Sequence, residues 1–213
     1  MLPNAETRDF RIKTGLHAAF RTPILVHQFE AGELEENLKE LVLEKERTEP
    51  GVGLSNVGGW HSNADLLNWD SPHVITLRDR IDQGAATILD LARNQEKDVD
   101  LKMKLGAWAN VSRKGAYNSI HNHAPALFSG VYYVTMGEPQ PPESKEGLLE
   151  FVDPRPGTHS GALPTHIFNP SFIVDPKPGM LVMFPGWLLH FVHPYSGESP
   201  RISIAFNLTL ANN

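Results

Sequence analysis

The second half of the chain consists of short apolar or alternating segments that glycine and proline interrupt. Eight such segments follow residue 100, at residues 105–112, 117–125, 127–136, 147–153, 171–176, 179–186, 187–194 and 201–210. Many short strands separated by turn residues are typical of an antiparallel sandwich or barrel. The pattern predicts a jelly-roll-like β core over residues 101–213, with a proline-rich exposed loop at residues 139–147.

The first hundred residues show a different pattern. Residues 31–47 place leucines at near-helical spacing among charged residues, which predicts an amphipathic surface helix. Ser71-Pro72 is a favourable helix start, and it predicts a long helix that ends near residue 94. Between them, residues 50–70 carry four glycines and are interpreted mostly as loop. We therefore expect a single domain, 1–213, in which an N-terminal helical layer with loops (1–100) covers one face of a β core.

Composition narrows the chemistry that the chain can perform. It contains no cysteine, which excludes disulfides, thiolate catalysis, iron–sulfur clusters and cysteine-type zinc sites. A formal charge of -6 gives no broad basic surface, so we predict no nucleic-acid partner. No apolar run approaches the ~20 residues of a membrane span, and the N-terminus has no apolar signal region. We expect a cytoplasmic protein whose chemistry depends on its ten histidines, carboxylates, hydroxyls or a cofactor.

His121 and His123 are the sharpest local feature. On a strand, residues i and i+2 project from the same face, so two imidazoles would point into one space. That spacing suits a chelate on one metal ion, although two polar residues on a wet strand face would show the same pattern. His190 lies in a strongly apolar segment, where it is either a third ligand or a hydrogen-bonded core histidine.

The last strand alternates sharply between its two faces. Ile202, Ile204, Phe206, Leu208 and Leu210 should pack against the helices, while Arg201 and Ser203 share the other face. A guanidinium with a neighbouring hydroxyl suits a carboxylate, and an exposed arginine at a strand start is the alternative. We also expect residues 194–200 to form a hairpin that places His190 opposite Ser203 or Ala205. Three histidine ligands with positions left open would match a non-haem Fe(II) oxygenase.

Longer stretches of the chain carry a family resemblance. WANVSRKGAYNSIHNHAPALFSGVYYV, LEFVDPRPG and PKPGMLVMFPGWLLHFVHPYSGESPRISIAFN resemble a largely uncharacterised family of 2-oxoglutarate- and Fe(II)-dependent oxygenases. The resemblance is strong over residues 105–208 and weaker over 20–70. It implies a double-stranded β-helix, with His121 as the first iron ligand and His190 as the distal one. It also implies that Arg201, in an Arg-x-Ser pattern with Ser203, grips the distal carboxylate of 2-oxoglutarate.

The middle ligand departs from the general superfamily pattern. Where that pattern has a carboxylate, this chain has His123, and Asp153 is the alternative ligand. Asn110, Asn118 and Tyr132 are further candidates for binding 2-oxoglutarate, each with an ordinary strand residue as the alternative.

For some further residues the sequence gives weaker evidence of a role in the site. Trp60, His61 and Ser62, in the glycine-rich loop, either overhang the pocket or only connect elements. Trp108, Phe184 and Trp187 are interpreted as packing residues.

The resemblance implies a dioxygenase that uses Fe(II), 2-oxoglutarate and dioxygen to hydroxylate an unidentified substrate, with formation of succinate. A different three-histidine metalloenzyme, either a zinc enzyme or a dioxygenase that needs no 2-oxo acid, is the first alternative. A catalytically inactive jelly roll that binds a ligand is the second. Exposed apolar residues on the N-terminal helices are compatible with a homodimer.

Overall fold

The computed structural model describes residues 20–92, 101–138, 141, 143–155, 157 and 171–211. Its helices are Glu33–Thr48 (α1) and Pro72–Ala92 (α2). Its strands are Leu25–Gln28 (β1), Asn56–Val57 (β2), Trp60–His61 (β3), Met103–Ser112 (β4), Tyr117–His121 (β5), Phe128–Thr135 (β6), Leu149–Val152 (β7), Ser171–Val174 (β8), Met180–Pro185 (β9), His190–Val192 (β10) and Arg201–Leu210 (β11). Each of the eight segments predicted to be strands contains one of β4 to β11 or overlaps it.

The strands form two antiparallel sheets that face each other. One sheet has six strands in the order β1-β9-β6-β11-β4-β3, and the other has five in the order β2-β5-β10-β7-β8. Tyr133, Val182 and Phe184 of the first sheet pack with Leu149 and Phe151 of the second in one buried cluster. The arrangement confirms the predicted fold, which is mainly β with packed helices.

Both helices cover the outer face of the six-stranded sheet. The buried apolar residues of α1 and α2 join a cluster with Ile202, Ile204, Phe206 and Leu208 of β11, so the predicted apolar face of the last strand does contact the helices. The contact is close at Gly84 of α2, where a Cβ would lie 2.3 Å from Leu181 and 2.8 Å from Met183. A larger residue there would force the side chains of Leu181 and Met183 to shift. The predicted end of α2 at residue 94 lies outside the described residues.

Short strands also occur in the first hundred residues, where the sequence predicted helices and loops. β1 forms an edge of the six-stranded sheet, and the predicted loop at residues 50–70 contains β2 and β3. β2 pairs with β5 and β3 pairs with β4, so this segment joins the two sheets at one side. The division of the chain at residue 100 stays a prediction. Of the predicted exposed loop at 139–147, residues 139, 140 and 142 lie outside the described residues.

The predicted hairpin between His190 and Arg201 is wrong. His190 lies on β10, which pairs with β5 and β7, whereas Arg201 lies on β11, which pairs with β4 and β6. Residues 193–200 therefore cross from one sheet to the other. Glycine and proline in this connection suit a crossover as well as a hairpin, so turn composition did not distinguish the two. The crossover places His190 and Arg201 on opposite walls of one space.

No helix among the described residues is long and apolar enough to cross a membrane.

Candidate active site

Three histidines converge between the two sheets. His121 ends β5 and is the direct cross-strand partner of His190 on β10, while His123 follows β5 by two residues. The ring centroids are 4.4 Å apart for His121 and His190, 5.0 Å for His121 and His123, and 5.1 Å for His123 and His190. One potential ligand atom from each ring lies within 4.8 Å of the others. The structure thus brings together the three imidazoles that the spacing singled out.

Backbone carbonyls fix two of these rings in a metal-binding tautomer. His121 Nδ1 lies 2.6 Å from the carbonyl oxygen of Ser119, and His190 Nδ1 lies 2.9 Å from that of Leu188. A carbonyl oxygen only accepts, so each Nδ1 carries the proton and donates it. Each Nε2 is then unprotonated and keeps an electron pair, which is the form that a metal ion binds.

Burial keeps all three imidazoles neutral. It lowers the pKa of His190 to about 3, with a further contribution from the neighbouring His121. It lowers the pKa of His123 to about 4, helped by His121 and His61. The pKa of His121 is also lowered, mainly by burial. Because metal ions bind the neutral ring, the cluster is ready for a cation at neutral pH.

The histidines line a cavity of about 810 Å³ between the sheets, and Arg201 and Ser203 line it from the opposite wall. Arg201 is only 2% exposed, and its Nε has no hydrogen-bond partner among the described residues. No carboxylate in the described part of the chain forms an ion pair with it. Burial accordingly lowers the pKa of this guanidinium. A buried cation without a counter-charge is costly, and a ligand carboxylate would compensate it.

Tyr133 is the aromatic neighbour of this cation. Its ring centroid lies 5.4 Å from the Arg201 guanidinium carbon, and its side chain lines the same cavity. Burial raises the pKa of Tyr133 to about 12, so the phenol stays protonated and able to donate a hydrogen bond. Arg201, Ser203 and Tyr133 together present donors suited to an anion.

The other residues predicted to bind 2-oxoglutarate have different positions. Asn110 and Asn118 line the cavity, and Asn118 Nδ2 donates to Ser55 Oγ at 3.3 Å. The placement of Tyr132 in the cosubstrate site is wrong. Its hydroxyl faces the helices, where it contacts Glu35 and Arg80. Neighbouring strand residues face opposite ways, so the cavity-facing tyrosine is Tyr133.

The alternative ligand Asp153 does not join the histidine cluster. Its carboxylate pairs with Arg155 through bonds of 3.0 Å and 3.2 Å to Nε. It lines a separate cavity of about 310 Å³ with Phe151 and Ser171. Asp153 follows the end of β7 by one residue and does not line the cavity that contains the histidines. The structure therefore contradicts this alternative and leaves His123 as the third candidate.

Three further residues line the cavity wall. From the sequence, Trp108 and Phe184 were interpreted as packing residues, and His61 as a residue that either overhangs the pocket or only connects elements. The rings of His61 and Trp108 stack with their centroids 5.5 Å apart and an interplanar angle of 14°. The ring centroids of Trp108 and His123 are 5.7 Å apart. Phe184 contacts His190 edge-on at 4.7 Å. His61 pairs with Asn110 through β3, so the glycine-rich loop does reach the pocket. β3 has only two residues and therefore no periodic pattern. The only sequence signal for its place at the pocket was the Trp-His-Ser tripeptide beside the glycines.

Comparison with known proteins agrees with this geometry. The family described as "Putative 2OG-Fe(II) oxygenase" matches residues 106–207, which contain the three histidines, Arg201 and Ser203. The match covers most of the β core and just under half of the chain. The protein is accordingly an Fe(II)- and 2-oxoglutarate-dependent oxygenase, and the three-histidine cluster fits iron binding. No curated protein sequence matches the chain.

Solved structures of other proteins share this fold. A prolyl-4-hydroxylase from Pseudomonas putida is 17% identical with a TM-score of 0.60, over 90% of this chain and 93% of the other. The α-ketoglutarate-dependent epimerase SnoN from nogalamycin biosynthesis is 16% identical with a TM-score of 0.63, over 90% and 77%. HygX from Streptomyces hygroscopicus, with nickel and 2-oxoglutarate bound, is 14% identical with a TM-score of 0.59, over 89% and 84%. At these identities the likeness supports the double-stranded β-helix fold alone.

Proposed function

We propose that this oxygenase hydroxylates a C–H bond of its primary substrate. One oxygen atom of dioxygen would enter the substrate as a hydroxyl group, and the other would enter 2-oxoglutarate as it loses carbon dioxide and becomes succinate. His121, His123 and His190 would hold the Fe(II), which supplies the redox chemistry when bound. Arg201, Ser203 and Tyr133 would hold the far carboxylate of 2-oxoglutarate and so orient its 2-oxo acid end toward the metal.

The observation that carries this proposal is the unpaired Arg201 on the wall opposite the histidines. A zinc hydrolase, or a dioxygenase without a 2-oxo acid, would leave this buried cation without a counter-charge. A dicarboxylate with its other end at the metal would neutralise it. We therefore favour a 2-oxo diacid over both alternative types of metalloenzyme.

Charge balance also makes three neutral ligands compatible with this cosubstrate. His121, His123 and His190 leave the full charge of a divalent ion uncompensated, whereas a carboxylate ligand would reduce it. Two carboxylates of 2-oxoglutarate would offset much of the combined charge of the metal and Arg201. Binding of the cosubstrate and binding of the metal should therefore reinforce each other electrostatically.

The rest of the cavity supports an uncharged substrate. Apart from Arg201, none of the described lining residues is Asp, Glu, Lys or Arg. Trp108 and Phe184 offer apolar surface, and Asn63 and Asn122 offer amide groups. An ionic group on the substrate would have no opposite charge to meet, so the part that enters should be neutral.

Anaerobic spectroscopy tests the proposal. Adding Fe(II) and then 2-oxoglutarate should give a visible charge-transfer band, and admitting air should convert 2-oxoglutarate to succinate. In the His190→Ala variant the band should disappear. Loss of a residue that only supports a ligand lowers metal affinity by ~10–100-fold, and loss of a ligand itself should lower it further.

His193→Ala is the matched control, because His193 Nε2 lies 2.9 Å from Glu150 Oε2 and does not line the cavity. A wild-type protein that binds Fe(II) but gives no band with 2-oxoglutarate would overturn the proposal. Binding of 2-oxoglutarate without decarboxylation under any substrate screen would instead favour the inactive jelly roll. Homodimer formation and a cytoplasmic location stay predictions, which size-exclusion chromatography and cell fractionation would check.

A further inference from the structure

Ser55 lies against the histidine cluster, on the segment that joins the two sheets. Its Oγ is 3.3 Å from His121 Nε2 and accepts a hydrogen bond from Asn118 Nδ2 at 3.3 Å. Its carbonyl oxygen accepts the backbone N–H of Ser119 at 3.0 Å and the Ser119 hydroxyl at 3.3 Å. Strand β5 therefore holds both the backbone and the side chain of Ser55 in place.

The direction of the bond between Ser55 and His121 follows from the ring's other nitrogen. His121 Nδ1 donates to the Ser119 carbonyl, so in the neutral ring Nε2 can only accept. Ser55 Oγ must then donate its proton to Nε2, while Asn118 donates to the same oxygen. The electron pair that accepts the Ser55 proton is the one that His121 would offer a metal ion, and it cannot serve both.

We propose that Ser55 competes with the metal for His121 and then becomes a hydrogen-bond donor to the 2-oxo acid. The inference rests on the proposed ligand set. When the metal takes Nε2, the Ser55 hydroxyl has to leave that electron pair and turn toward another acceptor in the cavity. The backbone of Ser55 stays fixed by the N–H of Ser119, so the displaced hydroxyl would remain next to the metal-binding space. Ser55 and Asn118 line the same cavity as Ser203, so a carboxylate or oxo oxygen there would accept the proton.

The proposal predicts opposite effects of one substitution on two affinities. In Ser55→Ala, the affinity for Ni(II) without cosubstrate should rise by about 2- to 10-fold, because the competing hydrogen bond is lost. The affinity of the Ni(II)-loaded protein for 2-oxoglutarate should fall by a similar about 2- to 10-fold. Competition with a chromophoric chelator measures the first quantity, and calorimetry measures the second without turnover.

Two further variants separate this role from a structural one. Ser144→Ala removes a serine hydroxyl that accepts the Glu146 N–H at 3.1 Å and does not line the cavity, so both affinities should stay at the wild-type value. Ser55→Thr restores the hydroxyl and should return both affinities toward wild type. Local damage to the segment would lower both affinities together, which the proposal excludes.

Each outcome decides the matter. A Ser55→Ala variant that binds Ni(II) as tightly as wild type, or more weakly, overturns the competition. A tighter metal site with unchanged 2-oxoglutarate affinity overturns the donor role. Failure of the proposed function gives a different result, since wild-type protein would then bind Ni(II) but not 2-oxoglutarate. If His121→Ala leaves Ni(II) binding intact, the ligand set and this inference both fail.

Discussion

The two faces of the six-stranded sheet differ in whether their buried polar groups have hydrogen-bond partners. On the helix-facing side, Tyr132 contacts Glu35 and Arg80, and the Arg80–Glu35 pair closes at 2.8 Å. On the cavity side, Arg201 Nε and Asn207 Oδ1 are buried without a hydrogen-bond partner among the described residues. The polar groups on the helix side satisfy one another, whereas those on the cavity side leave hydrogen-bonding capacity unused.

This difference separates groups that stabilise the fold from groups that bind a ligand. A buried polar group without a partner costs about 1–3 kcal/mol, which a protein tolerates where a ligand restores the missing bond. The helix-side cluster has no such need, because its charges and hydroxyl match within the chain. Substitutions on the helix side should therefore change stability, and those on the cavity side should change ligand binding.

Arg80→Met should give the largest effect on stability. It leaves the Glu35 carboxylate, which is 4% exposed, buried without its cation. Breaking a buried pair by removing one partner costs about 3–5 kcal/mol, and the contacts that Glu35 keeps with Tyr132 and the Gly32 N–H place the expected loss near the lower value. Urea unfolding measures it. The double variant with Glu35→Gln should recover part of the loss, and an Arg80→Met protein as stable as wild type would contradict the comparison.

Arg201→Met should weaken 2-oxoglutarate binding without destabilising the fold. Losing charge-assisted hydrogen bonds to one carboxylate should raise the dissociation constant by about 10- to 100-fold. The free energy of unfolding should stay the same or increase, since an unpaired buried cation is replaced by an apolar chain of similar length. Calorimetry and urea unfolding measure the two quantities. A loss of stability equal to that of Arg80→Met would show that Arg201 is structural.

Periodic sequence patterns predicted parts of the structure on both sides of the six-stranded sheet. The strict alternation of Ile202 to Leu210 predicted which face of β11 meets the helices, and His-x-His predicted two imidazoles in one space. The first prediction succeeds because a strand of several residues repeats its environment every second position. His123 reaches the same space as His121 although it lies two residues beyond the end of β5.

The parts that the sequence did not predict depend on tertiary pairing. β2 and β3 are each two residues long and are too short to show a sequence pattern. They are strands because they pair with β5 and β4. The crossover at residues 193–200 uses turn residues that also suit a hairpin. Tyr132 and Tyr133 are both buried and have the same chemistry, so only the register of β6 against β11 decides which one faces the cavity.

That pair of tyrosines gives the finest test of the comparison, because one hydroxyl is removed from each face. Tyr132→Phe should lower the free energy of unfolding by about 1 kcal/mol, since Glu35 and Arg80 keep their direct pair, and should leave 2-oxoglutarate binding unchanged. Tyr133→Phe should keep stability within about 0.5 kcal/mol of wild type and weaken 2-oxoglutarate binding by about 5-fold, because the lost donor faces the ligand. Urea unfolding and calorimetry on both variants check these values. If Tyr132→Phe weakened 2-oxoglutarate binding and Tyr133→Phe lowered stability, the comparison would be wrong. The face with unpaired polar groups would then not be the face that binds the cosubstrate.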